Sequence, residues 1–340
     1  MEYYGTLGPQ CSEERTIMRM LEAGMTGVRL NLSHGGLKEN EDRITLFRDC
    51  ASRYGIRPEI LIDLQGPEIR IGRLKNDIDA LEGSVIRMSG ESPDRLSNDV
   101  IPIPKEAEKA MEPGDRILLD DGKLEFSCIS RDEDGILASV LRGGVIRSSK
   151  SLAIVGKEID MPVLKEQDIE NIRLAHQYGV TGVMQPFVRR KEDLIELRDT
   201  LKKYDQDEIR IFAKIETLKG AENLDELIPY ADVIVIARGD LGNSMPLYKL
   251  PGVQKRIAAR CRKEEKSFMV VTQMLDSMME RAVPTRAEVL DIYNAVLDGA
   301  SSLMLTGETA AGRYPAEAMD YLVRTAEEAL TDPVVSDPRV

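Results

Sequence analysis

The sequence contains no tryptophan, and aromatic residues make up only 4% of its 340 positions. Its core must therefore be packed from Val, Ile, Leu, Met and Ala. Cysteine is also scarce. Cys11, Cys50, Cys128 and Cys261 lie far apart, without the spacing of metal ligands or of a disulfide-stapled domain. They are expected to be free thiols in a reducing compartment. No apolar run reaches the roughly 20 residues needed to cross a bilayer. The N-terminus lacks the basic and apolar regions of a signal peptide, so the expected location is cytoplasmic. Positive charge is in deficit too. With 46 Lys+Arg against 59 Asp+Glu, the formal net charge is −13, which repels nucleic-acid phosphates and argues against such a partner. An acidic chain that takes an anionic substrate has to concentrate cations locally.

Hydrophobic residues at 42% and charged residues at 31% are ordinary for a globular chain. The length suffices for one large barrel or two domains. Short apolar, β-branched runs alternate with helical patterns, at Tyr3–Leu7, Gly27–Leu32, Glu59–Leu64, Gly179–Met184, Ile209–Ile215, Asp232–Ala237, Phe268–Thr272 and Ser302–Leu305. Nearly continuous apolar strands followed by amphipathic helices indicate a parallel sheet covered on both faces. Eight such units predict a (β/α)8 TIM barrel, with an open doubly wound sheet as the alternative. After the third strand the texture changes. Alternating segments punctuated by Gly-Asp, Asp-Asp-Gly and Arg-Gly-Gly predict a small β-rich domain over residues 71–159. The barrel then comprises residues 1–70 and 160–332, with a tail at 333–340. The inserted domain is expected above the carboxyl-terminal face of the barrel as a lid.

Barrel chemistry collects where strands end. The second strand ends with Arg29, Asn31 and Ser33, spaced by two and so on one side of the strand. The third ends at Asp63-Leu64, followed by Arg70, whose planar fork suits phosphate oxygens. The fifth ends at Lys214-Ile215-Glu216. The sixth leads into Arg238-Gly239-Asp240, placing Asp240 beside Glu216 on adjacent strand ends. Two carboxylates with substrate oxygens and water make a hard-oxygen Mg2+ site, and the Gly239–Asp240 amides open a helix that favours an anion. A lysine beside such a site fits phosphoryl transfer. Thr272 and Thr306 bring hydroxyls from the seventh and eighth strands.

These segments, Arg-Leu-Asn-Leu-Ser-His-Gly from Arg29, Gln-Gly-Pro-Glu-Ile-Arg from Gln65, Ala-Lys-Ile-Glu from Ala213, Ala-Arg-Gly-Asp-Leu-Gly from Ala237, Thr-Gln-Met-Leu-Asp-Ser-Met from Thr272, Pro-Thr-Arg-Ala-Glu-Val from Pro284 and Thr-Gly-Glu-Thr-Ala from Thr306, resemble pyruvate kinase in sequence and order. The resemblance covers nearly the whole chain, with Leu119-Asp120-Asp121-Gly122 matching inside the insert. It implies an enzyme that passes phosphoryl from phosphoenolpyruvate to ADP and protonates the resulting enolate to pyruvate. It implies Mg2+ or Mn2+ on Glu216 and Asp240, and K+ on Asn31, Ser33, Asp63 and the Leu64 carbonyl. Glu68 stands where K+-dependent members carry Glu. Lys214 would neutralise the phosphoryl group in flight, and Arg29 would grip phosphate with Arg70 nearby. Gly239, Asp240 and Thr272 would hold the substrate carboxylate, with Thr272 near the protonation site and Thr306 on the same rim.

The chain also departs from the family pattern. Leu64-Gln65 replaces Thr-Lys, which removes a side-chain cation ligand and a positive charge. Gln185-Pro186-Phe187 stands where many members have Ser before Phe. Ser151–Gly156 replaces Gly-Val-Asn-Leu-Pro-Gly, Ser244 replaces Glu, Thr306 replaces Ser, and Glu39 falls where some members place Tyr near the nucleotide. Most changes fall on the lid, the acceptor side and the outer shell. Two alternatives therefore accompany the kinase reading: a biosynthetic phosphotransferase or enolate enzyme with another acceptor or enol, and a non-catalytic phosphoenol sensor. The family's C-terminal regulatory domain is not in the sequence, from which a homodimer is expected.

Overall fold

The computed structural model describes residues 1–67, 69–90, 97, 99–120, 122–157, 159 and 162–332, apart from the side chain of His34. Glu68, Asp121 and the tail 333–340 lie outside the described residues. The barrel strands are Glu2–Thr6, Gly27–Asn31, Glu59–Asp63, Gly182–Gln185, Arg210–Ile215, Val233–Ala237, Phe268–Val271 and Ser302–Leu305. Each pairs in parallel with its neighbours, and the first closes the ring on the eighth, Tyr3 opposite Leu303. The predicted (β/α)8 barrel is what forms, rather than an open sheet.

The fourth strand starts three residues later than expected and the seventh ends one residue earlier, each for a local backbone reason. The fourth strand begins at Gly182 instead of Gly179, because Gly179 adopts φ +71° to end the preceding helical turn. The seventh stops at Val271, because Thr272 turns to φ +76°.

Inward-facing side chains stack in layers, as alternation along each strand requires. The fifth strand shows all three. At the amino-terminal end Arg210 pairs with Glu2 at 3.1 Å and Glu59 at 3.3 Å, and donates to the Tyr4 hydroxyl at 3.0 Å. Two residues on, Phe212 packs edge-on against Tyr4, ring centres 6.4 Å apart, within an apolar middle layer that includes Leu61, Met269 and Met304. Another two residues bring Lys214 to the carboxyl-terminal end. The middle layer seals the barrel, so the upper charges have solvent on one side only.

Close approach after the first strand depends on Gly8. A Cβ there would stand 2.4 Å from the Ala310 carbonyl oxygen and 2.7 Å from its Cα. Both are backbone atoms that cannot rotate away. Gly8→Ala should therefore cost about 1–3 kcal/mol, read as a lowered urea midpoint.

Residues Pro67–Val163 form a second compact unit. Six strands pair in the order Leu152–Ile154, Arg116–Leu119, Leu124–Asp132, Gly135–Arg142, Val85–Ser89 and Val100–Pro102, and a ribbon joins Ile78–Ala80 to Gly144–Ile146. Its own core includes Met88, Ile101, Ile117, Phe126 and Ile136, all fully buried. Among the described residues no helix is long and apolar enough to cross a membrane.

Candidate active site

Four charged side chains meet at the carboxyl-terminal rim. The Asp63 carboxylate accepts from Lys214 Nζ at 3.0 and 3.1 Å and from Arg29 Nε at 3.1 Å, and Arg29 Nη2 reaches the same Asp63 oxygen. Lys214 Nζ also lies 2.9 Å from Glu216 Oε1. Side-chain exposure is 3% for Asp63 and Glu216 and 12–13% for Arg29 and Lys214. At that depth an isolated charge would be untenable, and the group persists because two cations and two anions alternate. Glu216 is oriented further by the Phe187 amide, which donates to Oε2 at 2.8 Å from a left-handed backbone, φ +52°.

Burial pulls the Asp63 pKa upward, but Lys214 and Arg29 outweigh it and leave the carboxyl below its ordinary value. Burial likewise opposes the charge on Lys214, yet Asp63 and Glu216 reverse this and raise its pKa above that of a free lysine. The signs define a window. Asp63 contributes stability above its unfolded pKa of about 3.9, lost as pH falls through the folded value. Lys214 contributes below about 10.4, lost as pH rises through its own. The stability gap between wild type and Asp63→Asn should therefore stay level from about pH 5 to 9 and shrink below about pH 4. Urea unfolding at a series of pH values checks this.

Asn31 Oδ1 accepts from the Ser33 amide at 3.2 Å, and the Leu64 amide donates to the Met184 carbonyl at 3.1 Å. Asp63, expected on a cation with these residues, is in this structure the bridge between Lys214 and Arg29. Arg29, expected to grip phosphate, likewise rests on Asp63. Asp240 and Gly239 lie in the short helix Arg238–Asn243 that follows the sixth strand. Among the described residues no cluster of three or more His, Cys, Asp or Glu is arranged for a metal. Arg70 belongs to the second unit, where it donates to the Ser149 carbonyl at 2.9 Å.

Thr272 at φ +76° and Gln273 at φ +53° are both left-handed without being glycine. For a β-branched residue this costs about 1–3 kcal/mol, a strain that concentrates at functional sites. A Cβ on Gly239 would stand 3.1 Å from Thr272 Cγ2, so glycine there leaves room for the threonine.

Three supporting residues were not singled out from the sequence. Buried Asp168 accepts from the Gln65, Gly66 and Lys165 amides at 2.8, 3.0 and 3.0 Å, fixing the turn after the third strand. It is the N3 residue of helix Glu166–Leu174, and that capping position was its only sequence signal. Buried Glu308 accepts from the Thr306 amide at 2.8 Å and the Leu275 amide at 3.1 Å. Arg238 binds the Thr272 carbonyl at 2.7 Å. The last two sit within the family-like motifs, but nothing local points to their partners.

A closed parallel barrel with a buried charged cluster at the strand carboxyl ends is a (β/α)8 barrel of the kind that builds active sites on that face. The family profile described as "Pyruvate kinase, barrel domain" matches residues 2–319. The chain belongs to the pyruvate kinase family. It is 38% identical over 335 residues to a pyruvate kinase of Geobacillus stearothermophilus, covering 96% of this chain and 56% of that protein. Identity to a pyruvate kinase of Corynebacterium glutamicum is 37% over 333 residues, covering 98% of this chain and 70% of that protein. With one of Mycobacterium tuberculosis it is 35% over 340 residues, covering 98% and 72%. The chain thus spans just over half the length of the Geobacillus protein.

Proposed function

We propose that this chain transfers phosphoryl from phosphoenolpyruvate to ADP and then protonates the enolate to pyruvate, with Mg2+ (or Mn2+) and K+. The buried Arg29–Asp63–Lys214–Glu216 cluster carries the reading. Two positive and two negative groups sum to zero, so a multiply charged phosphoenol carboxylate brings uncompensated negative charge to a site sealed from below. Added cations are the physical remedy. Glu216 and Asp240 are hard oxygen donors that fit a divalent ion, which when bound would neutralise phosphoryl oxygens. Asn31, Ser33, Asp63 and the Leu64 carbonyl would hold K+. Arg29 and Lys214, loosened from Asp63 by the substrate, would hold the phosphoryl group, with Arg70 assigned to phosphate by its motif alone. The Gly239 and Asp240 amides with Thr272 would orient the carboxylate, beside Thr306.

One observation favours a different acceptor. Gln65 stands in place of a family lysine, and its side-chain amide donates to the Leu32 carbonyl at 3.1 Å, so this position offers a polyphosphate no charge. The Lys214→Met variant tests the chemistry. The acceptor is tested by pyruvate formation from phosphoenolpyruvate with Mg2+, comparing K+ with Na+ and ADP with other nucleoside diphosphates or none. ADP- and K+-dependent turnover is expected. Nucleotide-independent turnover would move the assignment to a biosynthetic phosphotransferase, and binding without turnover to a sensor. A homodimer is proposed for the assembly. The cytoplasm is proposed for its location, in keeping with four buried, free cysteines.

A further inference from the structure

We propose that Arg238, anchored by Asp291, is a positioning residue that holds the Thr272 hydroxyl where the enolate is protonated; this rests on the function proposed for the chain. Thr272 and Gln273 occupy backbone conformations they do not adopt unaided, so the surroundings must impose them. Arg238 is the group placed to do so. Its Nη2 donates to the Thr272 carbonyl at 2.7 Å, and its Nε approaches the Thr272 and Val271 carbonyls at 3.1 and 3.3 Å. Nη2 also lies 2.9 Å from Met274 Sδ. On the other side Nη1 donates to Asp291 Oδ2 at 2.6 Å.

The guanidinium thus grips the backbone on both sides of the point where the seventh strand breaks. Asp291, on helix Arg286–Leu297, supplies the countercharge to a guanidinium whose side chain is 12% exposed. Its neighbour Gly239 leaves the space that Thr272 Cγ2 approaches. Adjacent residues therefore act in complement, Arg238 fixing the carbonyl of the strained residue and Gly239 making room for its side chain. Lysine could not reproduce this, because a single ammonium cannot address two carbonyls and a carboxylate in one plane. Although it sits one βα unit from Lys214, Arg238 is turned to the Thr272 backbone and the Asp291 carboxylate and not to the Asp63–Glu216 cluster.

The protonation step can be watched apart from phosphoryl transfer. In D2O the enzyme should exchange the methyl hydrogens of pyruvate. A C–H bond breaks, its proton passing to the Thr272 oxygen as that hydroxyl gives its own hydron to solvent. The enolate left behind forms a C–D bond with a deuteron that the hydroxyl has taken back from solvent. Arg238→Lys should slow this exchange at least about tenfold through misplacement of the reacting group. Its KM for phosphoenolpyruvate should change less than about threefold and its urea midpoint little, on the same principle that geometry, not binding, is lost. Asp291→Asn, which keeps an acceptor but drops the charge, should show the same pattern more weakly. It serves as the measurement if Arg238→Lys does not fold. Added guanidinium should partly restore exchange in Arg238→Ala. Wild-type exchange in the folded variants overturns the proposal, as does a loss shared equally by exchange, KM and stability. Wild-type protein that neither exchanges nor transfers phosphoryl would instead remove the functional reading beneath it.

Discussion

Lys214→Met should lower turnover by at least about a hundredfold, the scale set by removing one preorganised charge from a transition state. Lys214 contacts both Asp63 and Glu216, so it sits between the carboxylate that pairs with Arg29 and the one proposed to hold the divalent ion. The loss should fall on kcat more than on KM, because the ammonium is needed most where phosphoryl charge is in transit. Stability should drop modestly, by about 1–3 kcal/mol. Asp63 keeps Arg29 and Glu216 keeps the Phe187 amide, so neither carboxylate is abandoned. Steady-state pyruvate formation with circular dichroism as the folding control makes the measurement. Near-normal kcat in a folded variant would end the assignment of Lys214 to the chemistry.

Asp63→Ala should be the most destabilising single change at the site. It leaves the Arg29 and Lys214 cations facing each other across the space of the lost carboxylate, 3% exposed in the wild type. Breaking a buried ion pair from one side costs about 3–5 kcal/mol, a large share of the roughly 5–15 kcal/mol that holds a native chain together. Glu216 offsets only the Lys214 half. The double variant Asp63→Ala/Lys214→Met should regain part of the loss, since one unpaired cation goes with the anion, and that non-additivity measures the coupling. Urea midpoints of the four proteins complete the cycle. A loss below about 1 kcal/mol, the range of exposed pairs, would mean that the cluster is solvated rather than sealed.

The pH window, the Gly8→Ala clash and the Arg238 exchange experiment probe the same architecture from other sides. Together they separate charge compensation, packing and positioning, each with its own readout.

Much of the barrel was legible in the chain because the signal is local. Strands buried on both faces are written as apolar β-branched runs, and polar residues at their ends stand out where they interrupt apolar sequence. Lys214 and Glu216 share a face by the period of a strand, which needs no knowledge of the rest of the fold. The strand ends were less legible: nothing in Val271-Thr272-Gln273 announces that a β-branched residue will turn left-handed. That conformation is imposed by Arg238, 34 residues earlier, and by the missing Cβ of Gly239.

The sequence by itself determined which residue types stand at which strand ends, and hence the barrel, its family and the candidate chemistry. Only the tertiary structure decided who pairs with whom. It joined Asp63 to Lys214 across 151 residues and to Arg29 across 34, set Asp168 under the turn at Gln65, and turned Arg238 toward the Thr272 backbone. The physical reason is that periodicity fixes the face a side chain occupies, whereas a buried charge chooses its partner by distance in three dimensions, and closing the barrel sets those distances.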